Sequence, residues 1–113
     1  MPDCLFCKIV AGSLSTELVF EDGESVAFRD INPQAPTHIL IVPKKHLASL
    51  ADSRDEDAVL LGHLQRVAAS LAARLGLSGG FRLVTNIGRG AGQSVDHLHY
   101  HLLAGRSFKW PPG

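Results

Sequence analysis

The stretch that most constrains this chain runs Gly92-Gln93-Ser94-Val95-Asp96-His97-Leu98-His99-Tyr100-His101-Leu102-Leu103. Three of its histidines alternate with Leu98, Tyr100 and Leu102. Successive side chains of a strand point to opposite faces, so alternation predicts a strand with imidazoles on one face and apolar groups on the other. Neighbours on one face lie about 6.5–7 Å apart, twice the rise per residue, close enough to act on one substrate group. The preceding Gly88-Arg89-Gly90-Ala91-Gly92 can bring backbone N–H groups close to an anion. A histidine row beside such a turn points to phosphate chemistry.

The rest of the 113-residue chain has to build a pocket around that strand, and the chain's length suits one domain, residues 1–113. Lysine plus arginine balances aspartate plus glutamate at 11 each, so no basic field points to a nucleic-acid polymer. No apolar run is long enough to span a bilayer. Met1-Pro2-Asp3-Cys4 lacks the basic and apolar regions of a signal peptide, and the expectation is a soluble, cytoplasmic protein. Both cysteines lie in Cys4-Leu5-Phe6-Cys7, a spacing that suits metal or redox chemistry better than a structural disulfide in such a compartment.

In chain order, residues 4–11 read as one helical turn closed at Gly12. Strands are expected at 18–21 and 25–29, joined by the hairpin signal Asp22-Gly23. The prolines of 30–36 break the ladder. Residues 37–43 form a nearly all-apolar third strand, which belongs at the centre of a sheet with both faces buried. Lys44-Lys45-His46 follows as a basic turn. A long helix is predicted from Asp55, with Ser53 and Glu56 as a capping box and Val59, Leu60, Leu64, Val67, Leu71 and Leu75 as its buried stripe. His63 reads as a surface or packing residue, and Gly76 and Gly79-Gly80 stop the helix. A fourth strand is expected at 81–86 and the histidine strand at 97–103. The closing Trp110-Pro111-Pro112 cannot extend a sheet or helix and is expected to dock, across a subunit interface. Five strands with short connections and one long helix make an α+β domain, an antiparallel sheet with the helix on one face and the histidines on the other or at its rim.

Three chemistries fit His-x-His-x-His. Imidazoles can hold a catalytic metal, though three consecutive same-face positions on one strand converge poorly. A neutral imidazole can attack phosphorus to give a phosphohistidine that water resolves. The histidines can also simply be half-buried strand residues.

His97-Leu98-His99-Tyr100-His101-Leu102-Leu103 resembles the motif of the histidine triad (HIT) family. The likeness extends to Gly92-Gln93-Ser94, Cys4-Leu5-Phe6-Cys7-Lys8-Ile9, Phe28-Arg29-Asp30-Ile31, Pro33-Gln34-Ala35-Pro36-Thr37-His38, Pro43-Lys44-Lys45-His46 and the Trp110-Pro111-Pro112-Gly113 end. The tail and the Gly-Gln-Ser element resemble the Hint branch, the purine nucleoside phosphoramidases. The resemblance implies a homodimer whose two sheets join into one ten-stranded sheet, and hydrolysis of the P–N bond of AMP- or GMP-type 5′-phosphoramidates. It makes His99 the nucleophile, with His101 on the phosphate oxygens and proton, His38 ending the relay and Ser94 donating to the phosphate or leaving nitrogen. N–H groups from Gly92 through Gln93 to Ser94 would stabilise charge on the phosphate. Asp30 would accept from the ribose hydroxyls, Phe6, Ile9, Phe28 and Ile31 would sandwich the purine, and Asn86 would orient the phosphate end.

Cys4 and Cys7 supply two thiolates, and a tetrahedral site needs two more ligands. His46, without a catalytic role in that account, and His97, the triad member least needed for chemistry, complete the set. Some HIT proteins hold a structural zinc on such residues and others leave the site empty; the alternative here is a pair of reduced thiols. Catalysis itself requires no cofactor on this reading. Two other functions compete: a metal-dependent phosphoesterase with the histidine row as ligands, and a non-catalytic purine-nucleotide binding or adaptor protein. Asp96 and Ile87 depart from the apolar or aromatic and the polar residue expected there, and either could alter substrate preference.

Overall fold

The computed structural model describes residues 3–113. Strands β1 (Leu18–Glu21), β2 (Ser25–Arg29), β3 (Thr37–Pro43), β4 (Phe81–Val84) and β5 (Tyr100–Ala104) form one antiparallel sheet in the order β1-β2-β3-β5-β4. The apolar strand β3 is central, as its composition requires. Its odd positions Ile39 and Ile41 face helix α2 (Ala58–Arg74), packing with Leu64, Val67 and Leu71. Its even positions Leu40 and Val42 face the short helix α1 (Leu5–Val10), packing with Phe6, Ile9 and Phe28. The sheet is therefore covered on both sides, by the long helix and by a small apolar cap. Among the described residues no helix is long and apolar enough to cross a membrane.

Strand β5 begins at Tyr100, three residues later than the alternation predicts, because the backbone groups before it are used elsewhere. The Leu98 N–H donates to the Leu47 carbonyl at 2.6 Å, and the His99 carbonyl accepts from the Thr85 hydroxyl at 2.9 Å. Thr85 and Asn86 accordingly lie beyond β4, which is shorter than the predicted 81–86. The two-face alternation survives without the ladder: Leu98, Tyr100 and Leu102 pack on the α2 side.

The helix start also differs. The Ser53 hydroxyl turns back to the Leu50 carbonyl at 2.7 Å and caps nothing downstream. Asp57, ending a short 3-10 turn, takes the capping position: its carboxylate accepts from the Arg54 N–H at 2.9 Å and pairs with the Lys45 ammonium at 2.6 Å. The box has moved by one residue because Lys45 anchors the shorter carboxylate. Val59 is 85% exposed, because the stripe runs through Leu60 and Leu64 instead. Leu75 is also exposed, since the helix ends at Arg74 and Gly76 turns left-handed at φ 70°. His63 fastens α2 to the β1–β2 hairpin, 2.7 Å from the Asp22 carboxylate.

At the end of β5 the chain turns at Gly105, φ 96°, where an added Cβ would lie 2.8 Å from the Pro36 Cβ. Arg106 then donates to the Gln34 carbonyl at 2.9 Å. The C-terminal tail is held by its backbone, through Arg82 to the Lys109 carbonyl at 3.1 Å, while the Trp110 ring is 86% exposed. The expected docking thus applies to the tail's main chain and not, within this chain, to its tryptophan.

Two outcomes follow. Leu64→Ala, removing a side chain with no exposed surface, should cost about 2–5 kcal/mol in denaturant unfolding. Burial alone would raise the Asp22 carboxyl, but the Glu24 N–H, the His63 ring and the Ser25 hydroxyl and N–H together hold it down at about 2. Its folded pKa lies below its ordinary value, so its contribution is full above the normal carboxylate range and is lost as pH falls toward 2. Asp22→Asn should flatten the acid limb of a stability-against-pH curve.

Candidate active site

The hydrogen bonds around the histidines fix where each proton sits. His99 Nδ1 lies 2.7 Å from the His97 carbonyl, which can only accept, so Nδ1 carries the proton and Nε2 keeps a free lone pair. The Gln34 N–H donates to His38 Nδ1 at 3.0 Å, which places that proton on His38 Nε2. His38 Nε2 in turn donates to His101 Nδ1 at 2.9 Å, leaving His101 with its N–H on Nε2. Strand pairing sets this contact: β3 and β5 run antiparallel with His38 opposite Leu103 and Leu40 opposite His101. The rings of His99 and His101 are 5.0 Å apart. Nucleophile-type nitrogen and N–H donor thus stand side by side.

A cavity of about 420 Å³ opens in front of them. Phe6, Ile9, Phe28, Asp30, Ile31, Ser94, His99 and His101 all line it, together with Leu40 and Val95. The Phe6 ring meets Phe28 edge-on at 5.5 Å and His99 at 5.1 Å. Ile31 is fully exposed, so it forms the rim and not a sandwiching wall: the turn after β2 carries it out past the sheet. Asp30 serves two partners. Its Oδ1 accepts from the Asn32 N–H at 2.8 Å, which starts the proline turn, while Oδ2 lies 3.5 Å from His38 Nε2.

His38 stands beside His101 and is not itself among the lining residues, and three residues expected to bind the nucleotide are not brought to this cavity wall. Asn86 is half-buried after β4 and is not among the lining residues. The N–H groups of Gly92 and Gln93 close their own turn, to the carbonyls of Arg89 at 3.0 Å and Gly88 at 3.1 Å, so neither is open to an anion. Gln93 instead braces the loop: its amide donates to Ala48 O at 2.7 Å and Val95 O at 3.0 Å and accepts from the Gly88 N–H at 2.9 Å. Of the Gly92-Gln93-Ser94 element only Ser94 faces the cavity. Asp96 pairs with Arg89 at 3.0 Å on the surface, touching no histidine. Conversely, Thr85 and Pro43 hold the site without any sequence signal, because their contacts depend on register alone.

His97 faces away from the cavity. Its Nε2–H donates to the Pro43 carbonyl at 2.8 Å, so Nδ1 is a lone pair. That lone pair lies 3.1 Å from His46 Nδ1, 3.4 Å from Cys4 Sγ and 3.5 Å from Cys7 Sγ, and Cys7 Sγ is 3.2 Å from His46 Nδ1. Zinc bonds of about 2.0–2.1 Å to nitrogen and 2.3 Å to sulfur give tetrahedron edges of about 3.3–3.8 Å, and the set approaches that spacing. The His97 lone pair, the His46 ring nitrogen and two thiols that ligate once deprotonated make a donor set that fits a thiophilic cation. Asp30, His38 and His101 also cluster. Their hydrogen bonds disfavour a metal, since His38 Nε2 carries the proton that Gln34 keeps off Nδ1. Nor do His97, His99 and His101 converge on one point.

Burial lowers the His101 pKa to about 4, reinforced by His99 and His38 and only partly offset by Asp30. His101 is therefore neutral across the physiological range. Histidine NMR should show its ring titrating near pH 4, well under the ordinary imidazole value of about 6.5.

A HIT domain model matches residues 11–108. A HIT-like protein of Synechocystis sp. is 50% identical over 111 residues, 98% of this chain and 97% of that one. The crystal structure of a HIT family hydrolase from Legionella pneumophila superposes with a TM-score of 0.96 at 54% identity, covering 98% of this chain and all of that one. A histidine triad nucleotide-binding protein from Candida albicans matches with a TM-score of 0.82 at 34% identity over 96% of this chain and 83% of its own. With the triad strand, the sheet and the cavity all in this arrangement, the chain belongs to the histidine triad family.

Proposed function

We propose that this protein is a hydrolase of the Hint type, cleaving the P–N bond of purine nucleoside 5′-phosphoramidates through a nucleotidyl-histidine intermediate. The observation that carries this reading is the imidazole lone pair of His99 Nε2, on a ring lining the cavity beside the His101 donor. The purine lies between Phe6, Ile9 and Phe28, with Ile31 at its edge, and Asp30 Oδ2 accepts from the ribose. His99 Nε2 attacks phosphorus as the P–N bond breaks, and the amine leaves with a proton delivered through His101 and Ser94. Water then attacks phosphorus, releases the nucleotide and His99, and restores the proton given up. An amine departs only when protonated, and general acid help of this kind is worth about 10²–10⁴ in rate. The name of the Candida relative, a nucleotide-binding protein, supports the choice of ligand.

Cys4, Cys7, His46 and His97 hold a structural zinc on the same reading. When bound, zinc supplies a fixed cross-link among α1, the turn after β3 and the triad segment, and no catalytic step. Free thiols at Cys4 and Cys7 accord with a cytoplasmic setting. Two copies pair through their sheets, and the exposed Phe81 on edge strand β4 supports that assembly.

Purified protein should hydrolyse adenosine 5′-phosphoramidate, and His99→Asn should lower kcat by at least about 10³, the scale expected when an activated nucleophile is removed. Wild-type turnover in His99→Asn would reject the covalent mechanism. Activity should survive short exposure to EDTA; immediate loss on chelation would favour a metal-dependent phosphoesterase. Nucleotide binding without turnover would leave a binding or adaptor protein. Metal analysis of protein purified without chelator should give about one zinc per chain for a single four-ligand site, and a value near zero would reject the zinc.

A further inference from the structure

The same two segments build both the metal cluster and the nucleotide cavity. Helix α1 carries Cys4 as its N-cap and Cys7 within it, and between and beyond them Phe6 and Ile9 line the cavity. Six residues of helix are too few to hold their place unaided. The Phe6 ring stands edge-on to both histidines, 6.0 Å from His97 and 5.1 Å from His99. His97 makes the second link. Its ring offers Nδ1 to the cluster, and its own carbonyl holds the His99 Nδ1–H at 2.7 Å. A shift of the His97 residue therefore moves the acceptor that fixes which nitrogen of His99 is free.

We propose that the Cys4–Cys7–His46–His97 cluster positions the nucleotide site, so that a tetrahedral, thiophilic divalent cation and a nucleotide bind with positive coupling. The cation seats α1 and the His97 peptide where the nucleotide needs them. By linkage, the nucleotide must tighten the cation by the same factor. His97 and His46 are positioning residues here, acting through Phe6 and His99. The proposal rests on the nucleotide and zinc readings above, and it adds that the two sites are not independent.

AMP affinity should be measured by calorimetry on zinc-loaded and zinc-free protein, and zinc affinity by chelator competition with and without saturating AMP. Both ratios should agree and exceed about fivefold, the lower end of typical coupling. Ratios within twofold of unity, with α2 amide protection retained, overturn the proposal and leave the nucleotide reading standing. Loaded protein that binds no AMP overturns both. If zinc-free protein loses its fold, cobalt-loaded protein supplies the second measurement. AMP should shift the visible d–d bands of the cobalt, which report the geometry of its ligands, and bands unmoved by saturating AMP overturn the coupling.

Discussion

The site depends on one pairing, that of β5 between β3 and β4. Antiparallel register sets His101 against Leu40 and Leu103 against His38, which brings His38 Nε2 within 2.9 Å of His101 Nδ1. The same pairing turns Tyr100 and Leu102 toward α2, so the core that stabilises the domain and the ring row that lines the cavity are opposite faces of one strand. A slip of one residue would exchange them, putting imidazoles into the core and apolar groups into the cavity.

Within that frame, chemistry is assigned by backbone groups. Three neutral imidazoles have interchangeable tautomers in solution. Here the Gln34 N–H, the His97 carbonyl and the Pro43 carbonyl each impose one. The results differ: a donor from His38 to His101, an outward lone pair on His99 and a thiol-facing lone pair on His97. Residues of one type thus divide into relay, candidate nucleophile and candidate ligand, and the division is drawn by atoms every residue possesses.

This explains what could be read from the amino acids. The strand order's centre, Thr37–Pro43, and the two-faced histidine stretch were legible because burial writes itself into periodicity. The cluster of Cys4, Cys7, His46 and His97 was legible from ligand chemistry combined with family resemblance. What escaped was decided by local competition for hydrogen bonds. Ser53 and Glu56 satisfy every rule for a capping box, yet Lys45, distant in sequence, selects Asp57. Gly92 and Gln93 look like an open anion cradle, yet their N–H groups close their own turn. Val59 fits a helical repeat read from either end, and only the direction of the packed face excludes it.

Gly105 carries a consequence well beyond its own turn. Its missing Cβ lets Pro36 approach, and the Arg106 that follows grips the Gln34 carbonyl. Gln34 is the residue whose N–H decides the protonation pattern of His38. A single methyl group at position 105 would push on the proline loop and loosen that choice, so a position with no chemistry of its own acts as a hidden constraint on sequence drift. The proton inventory of the histidines is guarded by an absence, a side chain that the fold has no room to accept.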